Sequence, residues 1–149
     1  RLRKSHKLWL NFERGLVGGI VFQHFRIVKN ISNNQLTDIT ALSTLDNLLN
    51  FNFSFNQVTQ LPAFSKDCML VTVKGSSNAL STLKPLGGLK HLNYVIMDQN
   101  PGVTSVSTLR NCENLLEVSV YGTGLTDVSA LREALGDNVT IFYSPIPVT

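Results

Sequence analysis

The chain has 149 residues, of which 43% are apolar, and a formal net charge of +3. This length predicts a single domain, and with no run of about 18 apolar residues we expect no membrane insertion. Seven Lys or Arg residues and one Glu give residues 1–29 a net charge of +6, so the remainder carries −3. Because no basic face interleaved with aromatic residues continues beyond this segment, nucleic-acid binding is not expected.

Residues 1–24 differ in composition from the rest and are predicted to form an N-terminal cap or a non-repeat leader. Residues 2–15 have the apolar spacing of an amphipathic helix that stops at Gly15. The apolar stretch 16–22 is too short to span a membrane, and no Ala-x-Ala-like cleavage site follows it, so we expect the chain to lack an intact signal peptide of its own. Residues 25–149 are predicted to form a repeat domain that ends in a cap strand.

Six positions recur at intervals of 22, 22, 22, 23 and 21 residues and share the same pattern of neighbours. They are Asn34, Asn56, Asn78, Asn100, Thr123 and Ser144. A period in the twenties predicts a solenoid, in which each unit buries its apolar face against the next unit. We call these six residues the reference positions of six units.

Apolar residues are expected eight, five and three positions before each reference position, and two, five and eight positions after it. The first five units fill 27 of these 30 positions, if one inserted residue is allowed at Pro101-Gly102. A chain with 43% apolar residues would fill only about 13 by chance. The three exceptions are Arg26 and Lys29 in the first unit and Gly75 in the third.

The two spacings predict two kinds of segment. Apolar residues five and three positions before the reference share one face of a strand, whereas the three-residue spacing after it suits a helical or 3₁₀ return. Parallel strands are predicted at 48–54, 70–76, 92–98 and 115–121. The Asn side chain lies inside the turn, where its amide pairs with backbone groups, and the Asn residues of stacked units form a ladder. Thr123 and Ser144 keep only a hydroxyl, so the ladder is expected to weaken towards the C-terminus.

The C-terminal end predicts a helix capped by Asp127 and closed by Gly136. A last strand follows, with Val139 and Ile141 pointing inward. The two cysteines, Cys68 and Cys112, lie two units apart, which at the strand spacing is about 10 Å. This distance is too long for a disulfide, so we expect two buried thiols.

The phrases NNQLTDITAL (33–42) and GTGLTDVSAL (122–131) resemble the 22-residue subclass of leucine-rich repeats found in bacterial internalins and related surface proteins. The resemblance covers roughly residues 25–144. It implies an α/β right-handed solenoid, with short parallel strands on the concave face and short helical or 3₁₀ returns on the convex face. It also implies a non-enzymatic, monomeric module of a bacterial surface or secreted protein, which binds a protein partner through its concave face.

Two other classes of function fit the same fold. The subclass also includes an intracellular regulator of protein phosphatase 1, so the alternative is an intracellular regulatory scaffold. A further alternative is a non-catalytic domain attached to a larger enzyme.

No catalytic constellation, cofactor site or metal site is predicted. The three histidines fall in different registers, and no Cys or carboxylate stands near them at the spacing of metal ligands. Asp38 and Asp127 occupy the same position in their own units, after Leu-Thr, but these units are four repeats apart. At the strand spacing this is about 19 Å. Each is therefore expected to cap its own return turn.

The candidate binding residues are those six, four and two positions before each reference, because these point away from the core. In the first half of the solenoid these positions hold small polar residues. In the second half they hold aromatic residues with flanking charges, a composition typical of protein interfaces. The predicted partner-binding residues are Lys74, Tyr94, Ile96, Asp98, Glu117, Tyr121 and Phe142.

Overall fold

The computed structural model describes residues 27–144, which form one sheet of six parallel strands. The strands are β1 (Ile27–Asn30), β2 (Leu48–Asn52), β3 (Thr72–Lys74), β4 (Tyr94–Ile96), β5 (Glu117–Val120) and β6 (Thr140–Tyr143). Strand order follows chain order, and each strand pairs in parallel with the next. This arrangement confirms the predicted α/β solenoid. The predicted leader lies outside the described residues, so the domain boundary at residue 24 stays a prediction.

The returns on the far side of the core are short. They contain the helix α1 (Ser129–Leu135) and the 3₁₀ helices Thr40–Thr44, Lys84–Leu86, Ser107–Asn111 and Gly136–Asn138. The return of the second unit has no helix, and its sequence explains why. In the other returns, a side-chain oxygen four or five positions after the reference accepts a hydrogen bond from the backbone N–H of the residue two positions further on. For example, the Thr82 hydroxyl accepts the Lys84 N–H. Here that later residue is Pro62, which has no N–H to donate.

The core lies between the sheet and the returns. One buried row crosses the sheet in register and consists of Phe51, Val73, Val95, Val118 and Ile141. Neighbouring members of this row are 22 or 23 residues apart, so the sequence period is the register of the sheet. Burying such a side chain stabilises the fold by about 1.5–3 kcal/mol. Cys68 and Cys112 are buried free thiols, as predicted, and burial raises the pKa of both.

β3, β4 and β5 are shorter than predicted at both ends, and β2 is shorter only at its C-terminal end. Backbone pairing continues beyond β2, since Phe53 N–H donates to the Lys74 carbonyl at 2.8 Å. The extended backbone then ends at the residue before each reference position, which adopts a left-handed conformation. These residues are Asn33, Phe55, Ser77, Gln99 and Gly122, with φ from 55° to 64°. The sequence spacing could not show this turn, because apolar residues flank it on both sides.

The predicted asparagine ladder is present and joins each unit to the one before it. The Asn78 amide donates to the Gly75 carbonyl of its own turn at 3.1 Å and to the Phe53 carbonyl of the preceding unit at 3.2 Å. Its Oδ1 accepts the Val58 N–H of the preceding unit at 2.9 Å. Asn56 and Asn100 make the same set of bonds with their own neighbours. Each ladder residue therefore satisfies buried backbone groups in two units.

The ladder weakens at Thr123, as predicted, and the residue inserted at Pro101-Gly102 compensates for the lost bond between units. The Thr123 hydroxyl donates only to the Val120 carbonyl of its own turn, at 2.8 Å. A threonine here leaves Val103 without the amide oxygen that Val58 and Leu80 receive. Val103 N–H instead donates to the Asn100 carbonyl at 3.0 Å, across the Pro101-Gly102 insertion. The extra residue thus lets the Asn100 carbonyl act as the acceptor in place of the missing amide oxygen.

The prediction that Ser144 is the sixth ladder residue is wrong. Thr140 pairs with Glu117 and Phe142 pairs with Ser119, so Ser144 falls two positions short of the row of Thr123. A shift of two residues keeps the inward face unchanged, and Val139 and Ile141 are buried as predicted. Asn138 ends a 3₁₀ helix, and the last strand begins at Thr140.

The prediction that Asp127 is the cap of the last helix needs a one-residue correction. The cap residue of α1 is Val128, and Asp127 precedes it. The Asp127 carboxylate accepts the Ser129 hydroxyl at 2.6 Å and the Ser129 N–H at 2.9 Å. Asp38 makes the same pair of bonds with Thr40. Both bonds lower the pKa of each carboxyl group, and the side-chain bond has the larger effect. Gly136 closes the helix at φ 68°.

Candidate protein-binding surface

The outward face of the sheet brings the predicted residues of β4, β5 and β6 together. Tyr94 lies opposite Glu117, and Ile96 lies opposite Ser119, which in turn lies opposite Phe142. We call the set Tyr94, Ile96, Asp98, Glu117, Tyr121 and Phe142 the aromatic patch. Lys74, the remaining predicted residue, is exposed on β3 beside Ile96.

The aromatic side chains of this patch are accessible. Tyr94, Tyr121 and Phe142 expose 37%, 44% and 39% of their surface, and Ile96 and Glu117 are half-buried. The rings of Tyr121 and Phe142 lie 6.3 Å apart, within the range of a weakly attractive aromatic pair. A flat apolar area of this kind, beside a carboxylate, has the chemistry of a protein contact surface.

Asp98 has a structural task within the patch that the sequence did not indicate. Its Oδ1 accepts the Ser119 hydroxyl at 2.7 Å and the Tyr121 N–H at 2.8 Å. The carboxylate thereby ties β4 to β5 and fixes the backbone that carries the Tyr121 ring. Within the patch, Glu117 is the carboxylate without such bonds to the described residues.

Phe55 is a large exposed aromatic side chain that the sequence pattern did not predict. It exposes 57% of its surface and adopts φ 58°, a conformation that is unfavourable for a residue with a Cβ atom. Alternation along the strands identifies only outward strand positions, whereas Phe55 stands in the turn after β2. A comparison of the residues directly before each reference position would have identified Phe55 as unusual, since other units have Asn, Ser, Gln or Gly there.

Replacing Phe55 with asparagine is expected to raise the free energy of unfolding by about 1 kcal/mol, because Asn tolerates a left-handed backbone better than Phe does. The measurement is urea denaturation followed by circular dichroism. The matched control is the reverse exchange, Asn33→Phe, in the same turn of the first unit, which is expected to destabilise by a similar amount. A stabilising effect of Asn33→Phe would contradict the left-handed turn as the cause.

A second feature of the outward face lies at β1–β3. A shallow depression of about 320 Å³ is lined by Val28, Asn30, Asn50, Asn52, Thr72 and Lys74. Lys29 and Phe51 reach it from the core side, and burial lowers the pKa of the Lys29 ammonium group. Among the described residues, the lining has the exposed Lys74 and no carboxylate. The two halves of this face therefore differ in charge as well as in apolar content.

The described part of the chain contains no group of three or more His, Cys, Asp or Glu side chains that could hold a metal ion. Within residues 27–144, no helix is both long and apolar enough to cross a membrane.

Parallel strands in chain order, an asparagine ladder and short returns define a leucine-rich repeat fold. This fold is similar to that of internalins. Internalin C2 from Listeria monocytogenes matches with a TM-score of 0.67 and 26% identity, over 80% of this chain and 51% of that one. The internalin inlF of the same organism matches with a TM-score of 0.69 and 23% identity, over 80% of this chain and 36% of that one. The chain thus spans about half or less of the length of these internalins. No family model and no curated protein sequence matches it.

Proposed function

We propose that this chain is a non-enzymatic protein-binding module of a bacterial surface or secreted leucine-rich repeat protein. The observation that carries the proposal is the aromatic patch. Three aromatic side chains are exposed along one sheet face: Tyr94 on β4, Tyr121 directly after β5 and Phe142 on β6. Exposed tyrosines held on rigid strands supply contact area at a low cost in conformational entropy.

The charge beside the patch specifies the kind of partner surface. Glu117 is half-buried between Tyr94 and Thr140 in the sheet register. A basic side chain of the partner would pair with this carboxylate while the rings pack on apolar atoms. Such complementarity favours fast association and the correct orientation.

The similarity to internalins supports the bacterial and extracellular part of the proposal. Since the match covers only part of those chains, the proposal concerns the repeat module and its partner contact. A solenoid whose repeats carry different side chains at the same outward positions can encode a specific partner.

The test is affinity capture from host-cell extracts with the wild-type chain, followed by measurement of Kd for the captured protein. The double variant Tyr94→Ala/Tyr121→Ala is expected to weaken binding at least about tenfold, because both rings leave the contact. The matched control is Arg110→Ala/Arg132→Ala, which removes two exposed side chains from the returns. An unchanged Kd for the tyrosine variant, with circular dichroism showing an intact fold, would refute the assignment of the patch.

A further inference from the structure

Three residues on β1–β3 form a row of hydrogen-bond donors. Asn30 pairs in register with Asn52, and Asn52 pairs with Lys74. All three side chains lie on the outward face, at the border of the depression. We call Asn30, Asn52 and Lys74 the donor row.

The orientation of the two asparagine amides follows from the backbone. Asn30 Oδ1 accepts the Ser32 N–H at 3.0 Å, and Asn52 Oδ1 accepts the Ser54 N–H, also at 3.0 Å. A backbone N–H can only donate, so the accepting atom must be the oxygen and the NH₂ group must occupy the other end. Among residues 27–144 neither NH₂ group has an acceptor. The fold thus fixes two amide donors in the same row of the sheet as Lys74.

The surroundings of the donor row favour a negatively charged ligand. Among the described residues, the lining of the depression has one exposed lysine, Lys74, and no carboxylate. The nearest carboxylates of this face, Asp98 and Glu117, belong to the aromatic patch on the other half of the sheet. An anionic group would therefore be attracted to β1–β3 and repelled from β4–β5.

We propose that the donor row binds the side-chain carboxylates of an acidic segment of the protein partner. The inference rests on the proposed function and adds the chemistry of the partner to it. The row spans two strand spacings, about 10 Å. Two carboxylates on the same side of an extended peptide lie about 7 Å apart, so both fit within the row. The partner segment runs with its acidic end on β1–β3 and its basic or apolar end on the aromatic patch.

The test uses tetraglutamate peptide as the probe and the full 149-residue chain labelled with ¹⁵N. At low ionic strength, where screening is weak, the peptide is expected to shift the NMR signals of the Asn30 and Asn52 side-chain amides and of Lys74. Tetralysine is expected to leave these signals in place and to shift those around Glu117. Shifts caused by tetraglutamate around every exposed lysine alike, or no shifts at the donor row, would overturn the proposal.

Asn52→Asp is the decisive variant because it preserves the fold at this position. The aspartate retains an oxygen that can accept the Ser54 N–H, while the donating NH₂ group becomes a second oxygen. It is expected to weaken tetraglutamate binding at least about fivefold, and Lys74→Glu is expected to act in the same direction. Lys84→Glu, a charge reversal on a return, is the matched control and should leave the affinity unchanged. Equal effects of Lys74→Glu and Lys84→Glu would reduce the binding to general electrostatics and overturn the proposal.

The test of the donor row and the test of the aromatic patch can fail independently of each other. Tetraglutamate reports on β1–β3 alone, whereas Tyr94→Ala/Tyr121→Ala changes β4 and the turn after β5. If the peptide titration fails while the tyrosine variant loses the captured partner, the donor row is refuted and the aromatic patch stands. The opposite pair of results would leave the donor row as a carboxylate site without support for the patch.

Discussion

Replacing Asn100 with alanine is expected to lower the free energy of unfolding by about 3 kcal/mol. The side chain is fully buried and bridges two units. Its loss leaves the Leu80 N–H and the Met97 carbonyl, now bonded to it at 3.1 Å and 3.0 Å, without these partners inside the core. Each buried backbone group left unsatisfied costs about 1–3 kcal/mol. This is a large part of the total stability of a small domain.

Asn34→Ala is the matched control at the first reference position. Asn34 is half-buried, and among the described residues its amide donates only within its own turn, to the carbonyls of Ile31 and Ser32. No described unit precedes it in the ladder. The same substitution is therefore expected to cost no more than about 1 kcal/mol. Urea denaturation monitored by circular dichroism measures both variants, and equal losses would contradict the ladder as the source of the effect.

The fold was predictable from the sequence because a solenoid repeats its register along the chain. The row formed by Phe51, Val73 and Val95 is visible in the sequence alone as a spacing of 22 residues. The ladder was predictable for the same reason, since an amide that recurs at this interval among apolar residues must pair with backbone groups in each turn. The bonds between units were not predictable, because they join atoms 20 and 25 residues apart through stacking.

The register of the last unit was not predictable, and physical reasons account for the error. The spacing of Thr123 and Ser144 rests on two hydroxyl residues, which are common, and the Thr123 hydroxyl bonds only within its own turn. A slip of two residues along a strand keeps every inward residue inward. The apolar residues Val139 and Ile141 therefore fit both registers, and only the backbone pairing of Thr140 with Glu117 separates them.

The candidate surface was only partly visible in the sequence. Outward strand positions follow from alternation, so the exposed rings of Tyr94 and Tyr121 were found. The exposure of Phe55 depends on a left-handed turn, and the donor row depends on which end of each amide faces the backbone. Both are properties of local backbone conformation that a count of apolar positions does not contain.

Replacing Gly75 with alanine is expected to cost about 2 kcal/mol. Gly75 was the exception to the apolar pattern in the third unit, at a position that points inward. A Cβ atom there would lie 2.2 Å from Cζ of Phe53 and 2.8 Å from Sδ of Met97. Both neighbours are fully buried and occupy the volume that a side chain at position 75 would need. The glycine is thus the small partner of a large residue in the preceding unit.

A double-mutant cycle with Phe53→Leu tests this pairing. Phe53→Leu alone is expected to destabilise the chain, because it leaves unfilled volume in the core. In that background Gly75→Ala places its methyl group where the ring was, so it should cost clearly less than in the wild type, with a coupling of about 1 kcal/mol. Urea denaturation of the four chains gives the coupling energy. Strict additivity would contradict the Phe53 ring as the reason for glycine at position 75.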